Sequence, residues 1–145
     1  VIWADPRPEA FPAAMPGNCT ATSDPLAAVA TAPAGTLVFI MTHSHALDLA
    51  LVDAALRNPM VAEVGLIGSA TKRARFERRL RDAGVPAERV AAMLCPIGVP
   101  GIRSKLPAAI AAATAAQILV LDEQLALASR GLEPQESVEP RGVAR

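Results

Sequence analysis

Within the eight residues Met41 to Asp48 stand two imidazoles (His43, His45), two hydroxyls (Thr42, Ser44) and the Asp48 carboxylate. Imidazoles exchange protons near neutral pH and ligate metals, and hydroxyls donate hydrogen bonds to anions and carbonyls. The cluster follows an apolar run, Leu37 to Met41, and precedes apolar residues that recur at helical spacing from Ala46 to Leu56. In open parallel α/β sheets the crevice outside the carboxyl ends of the strands is where ligands bind. His43, Ser44 and His45 are therefore candidate ligand contacts. The structural alternative is that Thr42 or Ser44 starts the helix while one imidazole bonds a backbone carbonyl. Two imidazoles fall short of the three or four ligands of a zinc site, so no metal set is assigned.

A second junction, Gly68-Ser69-Ala70-Thr71-Lys72, joins an apolar run to a helix start. Free backbone N–H groups and the helix dipole favour an anion there, with Lys72 as a point charge and Ser69 and Thr71 as donors. The alternative is that Ser69 only caps the helix and Lys72 joins a solvated basic face. The segment is not a P-loop, because its second glycine and Gly-Lys-Ser/Thr ending are missing. Cys95, beside Pro96, falls at a further strand end where a thiolate could meet a soft metal centre, although a buried, inert thiol is the commoner outcome. Asp5 closes the first apolar run, the position from which an acid bonds ribose hydroxyls in a dinucleotide fold. The Gly-rich turn belonging about 20 residues upstream of such an acid is not in the chain, and Asp5 serves equally well as the cap of the Pro6 turn.

The elements that must hold these residues alternate between strand and helix. Val1 to Ala4 reads as a buried strand stopped at Pro6, and a short strand near Cys19 to Ala21 is followed by a helix from Pro25 to about Ala30, capped by Ser23-Asp24. Then come a strand Thr36 to Met41, a helix Ala46 to about Arg57, a strand Val61 to Ile67 and a helix from about Ala70 to Asp82, stopped by Ala83-Gly84. A further apolar run, Val90 to Leu94, reads as a strand, Cys95 to Gly101 as a loop, and Pro107 to about Arg130 as a long helix. Helical crossovers between strands imply a parallel sheet. The expected fold is α/β and Rossmann-like, a mostly parallel sheet with helices on both faces, over residues 1–130, with a disordered tail at 131–145. The apolar opening without an initiator Met suggests the C-terminal part of a longer protein, lacking the first strand-turn-helix of the fold.

Basic and acidic residues number 14 each, which gives no global reason to expect nucleic acid or membrane as partner. The balance is broken locally, since Lys72, Arg73, Arg75, Arg78, Arg79 and Arg81 face the single acid Glu77. Cys19 and Cys95 are too few and too far apart for a disulfide framework, so a reducing, cytoplasmic setting is expected. The Ala-rich stretch Pro107 to Leu121 falls short of a bilayer's thickness and reads as a buried helix.

Three of these stretches together, Met41 to Asp48, Gly65 to Phe76 and Cys95-Pro96-Ile97-Gly98, with the opening Asp5-Pro6-Arg7, resemble the Rossmann-like domain of the xanthine dehydrogenase accessory proteins, the XdhC/CoxI-type molybdenum cofactor chaperones. The resemblance covers roughly residues 1 to 125 in order. It implies an accessory protein rather than a turnover enzyme. Such a protein binds molybdenum cofactor (molybdopterin) as cargo, protects it during sulfuration and delivers it to apo xanthine dehydrogenase or a related molybdenum hydroxylase. A cysteine desulfurase-type sulfurtransferase is the second partner implied, and a homodimer is a further expectation. On this reading Asp5, His43, Ser44, His45, Gly68, Ser69, Lys72 and Cys95 form the cofactor-binding set, with the start of the helix at Ser69 suited to the phosphate. The alternative is an NAD(P)-dependent oxidoreductase, for which no convincing proton donor stands out beyond His43 or His45. A third reading is an interaction module whose basic helix, Lys72 to Arg81, docks an acidic partner.

Overall fold

The computed structural model describes residues 1–102 and 104–131. The expected tail therefore lies, apart from Gly131, outside the described residues. The chain forms two compact units, Val1–Ile97 and Gly98 onward.

In the first unit the elements are β1 (Ile2–Ala4), a 3-10 turn at Pro8–Ala10, β2 (Thr20–Thr22), α1 (Pro25–Ala30), β3 (Thr36–Ile40), α2 (His45–Arg57), β4 (Val61–Leu66), α3 (Ala70–Asp82) and α4 (Ala87–Ala92). The fold is α/β with parallel strands, as the alternating pattern requires. Its strands form two parallel pairs, β1 with β2 and β3 with β4. In the second pair Val38 lies opposite Val64, Phe39 opposite Gly65 and Ile40 opposite Leu66. Gly65 is there for space: a Cβ on it would stand 2.8 Å from the Phe39 ring and 2.9 Å from Ile97 Cγ2.

The strand expected over Val90 to Leu94 is instead the helix α4 followed by one bridging residue. Leu94 donates to the Val64 carbonyl at 2.9 Å and accepts from the Leu66 N–H at 2.8 Å, a parallel bridge opposite Gly65. The run Ala-Glu-Arg-Val-Ala-Ala after Pro86 consists largely of good helix formers, so only the residues beyond Met93 are left to extend. The opening strand also differs from expectation. Val1, Ile2 and Trp3 are exposed rather than buried, because two three-residue strands make too small a face to enclose them. Trp3 has an edge-on contact with Phe11, ring centroids 5.7 Å apart.

The core lies under β3 and β4, where Phe76, Leu66, Leu80, Met93, Val52, Val61 and Val90 are fully buried. Helix α2 contributes Leu51, Val52, Ala55 and Leu56, a stripe at helical spacing. Its C-terminal end is fixed by Arg89 on α4, whose guanidinium donates to the carbonyls of Leu56 at 3.1 Å and Val61 at 2.9 Å. A cation is the favourable charge at that end of a helix. Asn58, the residue closing α2, donates its side-chain amide to the Val29 carbonyl at 2.8 Å and so holds α1 beside α2.

The second unit contains α5 (Pro107–Ser129), 23 residues long. Gln117 Oε1 accepts the Gly98 N–H at 2.7 Å, and the Ala113 carbonyl accepts the Val99 N–H at 3.2 Å. Neither the shortfall in length nor the burial expected from Pro107 to Leu121 holds, since only Ala113 and Thr114 of α5 are buried. By length and composition alone α5 is long and apolar enough to cross a membrane.

Candidate functional site

The carboxyl ends of β3 and β4 open into two loops, Met41–Ser44 and Ile67–Ser69, each ending in a serine that starts a helix. Ser44 Oγ accepts the Leu47 N–H at 3.3 Å, and Ser69 Oγ accepts the Lys72 N–H at 3.2 Å. Both serines therefore act as N-caps, as residues of this type do at the position before a helix. Each helix in consequence presents its first N–H groups at the same edge of the sheet, a favourable environment for negative charge.

The two loops are joined by a buried charge pair. Lys72 reaches back from the first turn of α3 to place Nζ 2.6 Å from Asp48 Oδ2 and 2.8 Å from the Ile67 carbonyl. Its ammonium also lies 5.4 Å from the centre of the Phe76 ring. The other Asp48 oxygen accepts from the Thr42 N–H at 3.1 Å and the Thr42 hydroxyl at 2.8 Å. Asp48 is 1% exposed, and a buried carboxylate persists only with partners of this kind. Gly68 makes the crossing possible, since a Cβ there would stand 2.7 Å from Lys72 Cδ. Of the expected anion ligands at this junction, Lys72 thus faces Asp48, while Gly68 and Ser69 shape the loop and the start of α3.

His43 and His45 are both exposed. The strand stops at Ile40, so they do not share a strand face: His43 lies in the loop and His45 opens α2. Arg75 Nη2 stands 3.4 Å from His45 Nδ1, a contact in which that nitrogen accepts. Asp5 lies at the end of β1 with both oxygens engaged by Arg7. Oδ1 accepts from the Arg7 N–H and Nε at 2.9 Å each, and Oδ2 from Nη2 at 2.8 Å. The Arg7 bonds hold the Asp5 carboxyl at about 2, well below the usual carboxylate range, and the charge of His43 adds a smaller effect in the same direction. Both Asp5 oxygens have the capping partners of the turn reading, so a ribose hydroxyl would have to compete with Arg7.

Cys95 follows the bridging residue Leu94 and is buried. Burial pushes its thiol up, against the opposing influence of Arg73 and Lys72. Arg73 donates to the Cys95 carbonyl at 3.1 Å and the Ala91 carbonyl at 3.2 Å, and bonds Glu77 at 2.7 Å. The sequence around this thiol offers no basic neighbour, because Arg73 arrives from 22 residues away. The candidate set also omits Asp48. The signal was present, since Asp48 shares its spacing with Leu51, Val52 and Ala55, which puts a charge on the apolar stripe of α2. Among the described residues no group of three or more His, Cys, Asp or Glu side chains is placed to hold a metal ion.

The strand ends thus gather two exposed imidazoles, two helix starts and a buried charge pair that fixes the loops between them. A family model described as the XdhC Rossmann domain matches residues 1–118. None of the curated proteins compared with the chain matches it.

Proposed function

Because the chain belongs to the XdhC Rossmann-domain family, an accessory family of xanthine dehydrogenase, we propose that it is a molybdenum cofactor chaperone. It holds the cofactor while the terminal sulfido ligand is installed and delivers it to apo xanthine dehydrogenase or a related molybdenum hydroxylase. A cysteine desulfurase-type sulfurtransferase supplies the sulfur, and the work takes place in the cytoplasm. The observation that carries this reading is the family match over residues 1–118, which includes every residue of the candidate set.

The geometry supports a division of labour. The cargo is a pterin that carries a phosphate and a sulfur-bound molybdenum. The opening turn of α3, with Gly68 and Ser69, suits the phosphate. His43, His45 and the Ser44 turn border the same sheet edge and supply hydrogen-bond partners for the pterin. Cys95, beside the Leu94 bridge, and Asp5, at the end of β1, complete the proposed set. Lys72 acts from behind, keeping the two loops in place through Asp48.

The test is to produce the protein anaerobically in cells with cofactor synthesis intact and to measure molybdenum and pterin co-eluting with it. Ser69→Asp is the informative variant, because aspartate caps a helix as well as serine does while placing negative charge where a phosphate would lie. Retention by the wild type that collapses in Ser69→Asp, with unchanged thermal stability, supports the reading. Absence of molybdenum and pterin, with a nicotinamide dinucleotide bound in their place, would establish the oxidoreductase alternative instead.

A further inference from the structure

The six cations between Ser69 and Arg81 look alike in sequence, but the structure sorts them into three groups. Lys72 is paired with the buried Asp48. Arg73 and Arg81 both close on Glu77, at 2.7 and 2.9 Å, and Glu77 is held below the usual carboxylate range chiefly by Arg73. Arg75, Arg78 and Arg79 remain. All three are exposed, and among the described residues none lies within ion-pair distance of a carboxylate. Steps of three and four residues put Arg75, Arg78 and Arg79 on one flank of α3, away from the Glu77 side, with the exposed Asp82 of the last turn at the far end of the same flank and outside ion-pair distance. Arg75 touches His45 at the start of α2, so this flank begins at the candidate site and leads away from it.

We infer that the Arg75–Arg78–Arg79 flank docks an acidic surface of another protein. Three guanidinium groups within about 6 Å of helix axis match a cluster of carboxylates, which they can engage through two parallel bonds each. A nucleic acid is a poorer fit. The chain as a whole carries no net charge and only four Phe and Trp residues, and single strands need stacking aromatics along a basic track. A membrane is also a poorer fit, because the bulky apolar residues of α3, Phe76 and Leu80, are buried in the core and none is left to enter lipid. That the docked protein gives or receives cargo rests on the chaperone reading; the docking itself does not.

The test uses three probes at low salt: fluorescein-labelled poly-L-glutamate, duplex DNA, and vesicles containing phosphatidylserine. The wild type is compared with Arg75→Glu/Arg78→Glu/Arg79→Glu, with the same three positions changed to Ala, and with Lys105→Glu/Arg130→Glu as a charge control. The expected result is preferential binding of poly-L-glutamate, weakened about tenfold or more in both triple variants and kept by the control. The wild-type affinity should also fall as salt screens the charges. Equal binding by wild type and triple variants, equal loss in the control, or tighter binding to DNA or vesicles would overturn the proposal. Molybdenum retention is measured on the same proteins. Its absence from the wild type counts against the chaperone reading alone, and the docking result stands or falls separately.

Discussion

Lys72 Nζ lies 2.6 Å from Asp48 Oδ2 with the two side chains 10% and 2% exposed, and this one contact ties the loop after β3 to the loop after β4. Both charges come from the first turns of helices whose starts border the candidate site. The pair therefore determines where the exposed His43, His45 and Ser69 stand. Removing one partner leaves the other charge buried and uncompensated. Lys72→Met or Asp48→Leu alone should destabilise the protein by about 3–5 kcal/mol in urea unfolding, and the double substitution should recover much of that loss. A double variant as unstable as the sum of the singles would show that the pair is not a closed unit. The double variant also separates stability from function, since it folds without the tie and should retain cargo less well than the wild type.

Gly68 owes its place to the same lysine. A methyl group at this position would meet the Lys72 stem at 2.7 Å, so Gly68→Ala is expected to push the ammonium away from Asp48 and cost about 1–3 kcal/mol. In a Lys72→Ala background Cγ and Cδ are absent and only Cβ remains, 3.3 Å away, so Gly68→Ala should cost much less. A double-mutant cycle reads this directly. Equal costs in both backgrounds would place the glycine's role in the backbone rather than in the crossing.

How far the sequence discloses this architecture depends on whether the deciding contact is local. The bounds of α3, Ala70 to Asp82, follow from the Ser69 cap and the Gly84 stop, both of which act within one turn, and they are found where expected. The segment Val90–Leu94 reads as a strand because it is a short apolar run, which periodicity alone does not distinguish from the end of a buried helix, and a single bridging residue at Leu94 leaves no alternating pattern to detect. The candidate residues His43, His45, Gly68 and Ser69 were legible from their place at strand ends. The Asp48–Lys72 pair and the Arg73–Cys95 contact were not, since they join residues 24 and 22 positions apart and pairing at that range is fixed only by the packed fold.

Cys95 and Cys19 should differ in reactivity. The Cys95 thiol is buried and its ionisation is opposed by desolvation, whereas Cys19 is half-exposed beside Asn18. The thiolate is the reactive form, so brief treatment of the native protein with iodoacetamide at neutral pH should label Cys19 and spare Cys95 until denaturant is added. Peptide mass analysis assigns the site. Labelling of Cys95 at a comparable rate would mean that the strand end opens in solution, and would make this thiol accessible to cargo.

The Asp5–Arg7 contact gives a defined dependence on pH. In the folded protein the Asp5 carboxyl sits at about 2, against an ordinary value of 3.8. A carboxyl depressed on folding favours the native state fully at pH values above its unfolded pKa, and that contribution disappears as pH falls through the folded one. Asp5→Asn should therefore lower the melting temperature by a constant amount from about pH 7 down to about pH 5, with the gap to wild type narrowing between about pH 4 and pH 2. Because Arg7 supplies the largest part of the shift, Arg7→Met should return the Asp5 carboxyl towards its ordinary value, which carbon-detected NMR titration of the side chain can follow. A gap that widens as the solution is acidified would mean that Asp5 gains nothing from Arg7 on folding. The carboxylate would then be free to meet a hydroxyl of the bound ligand.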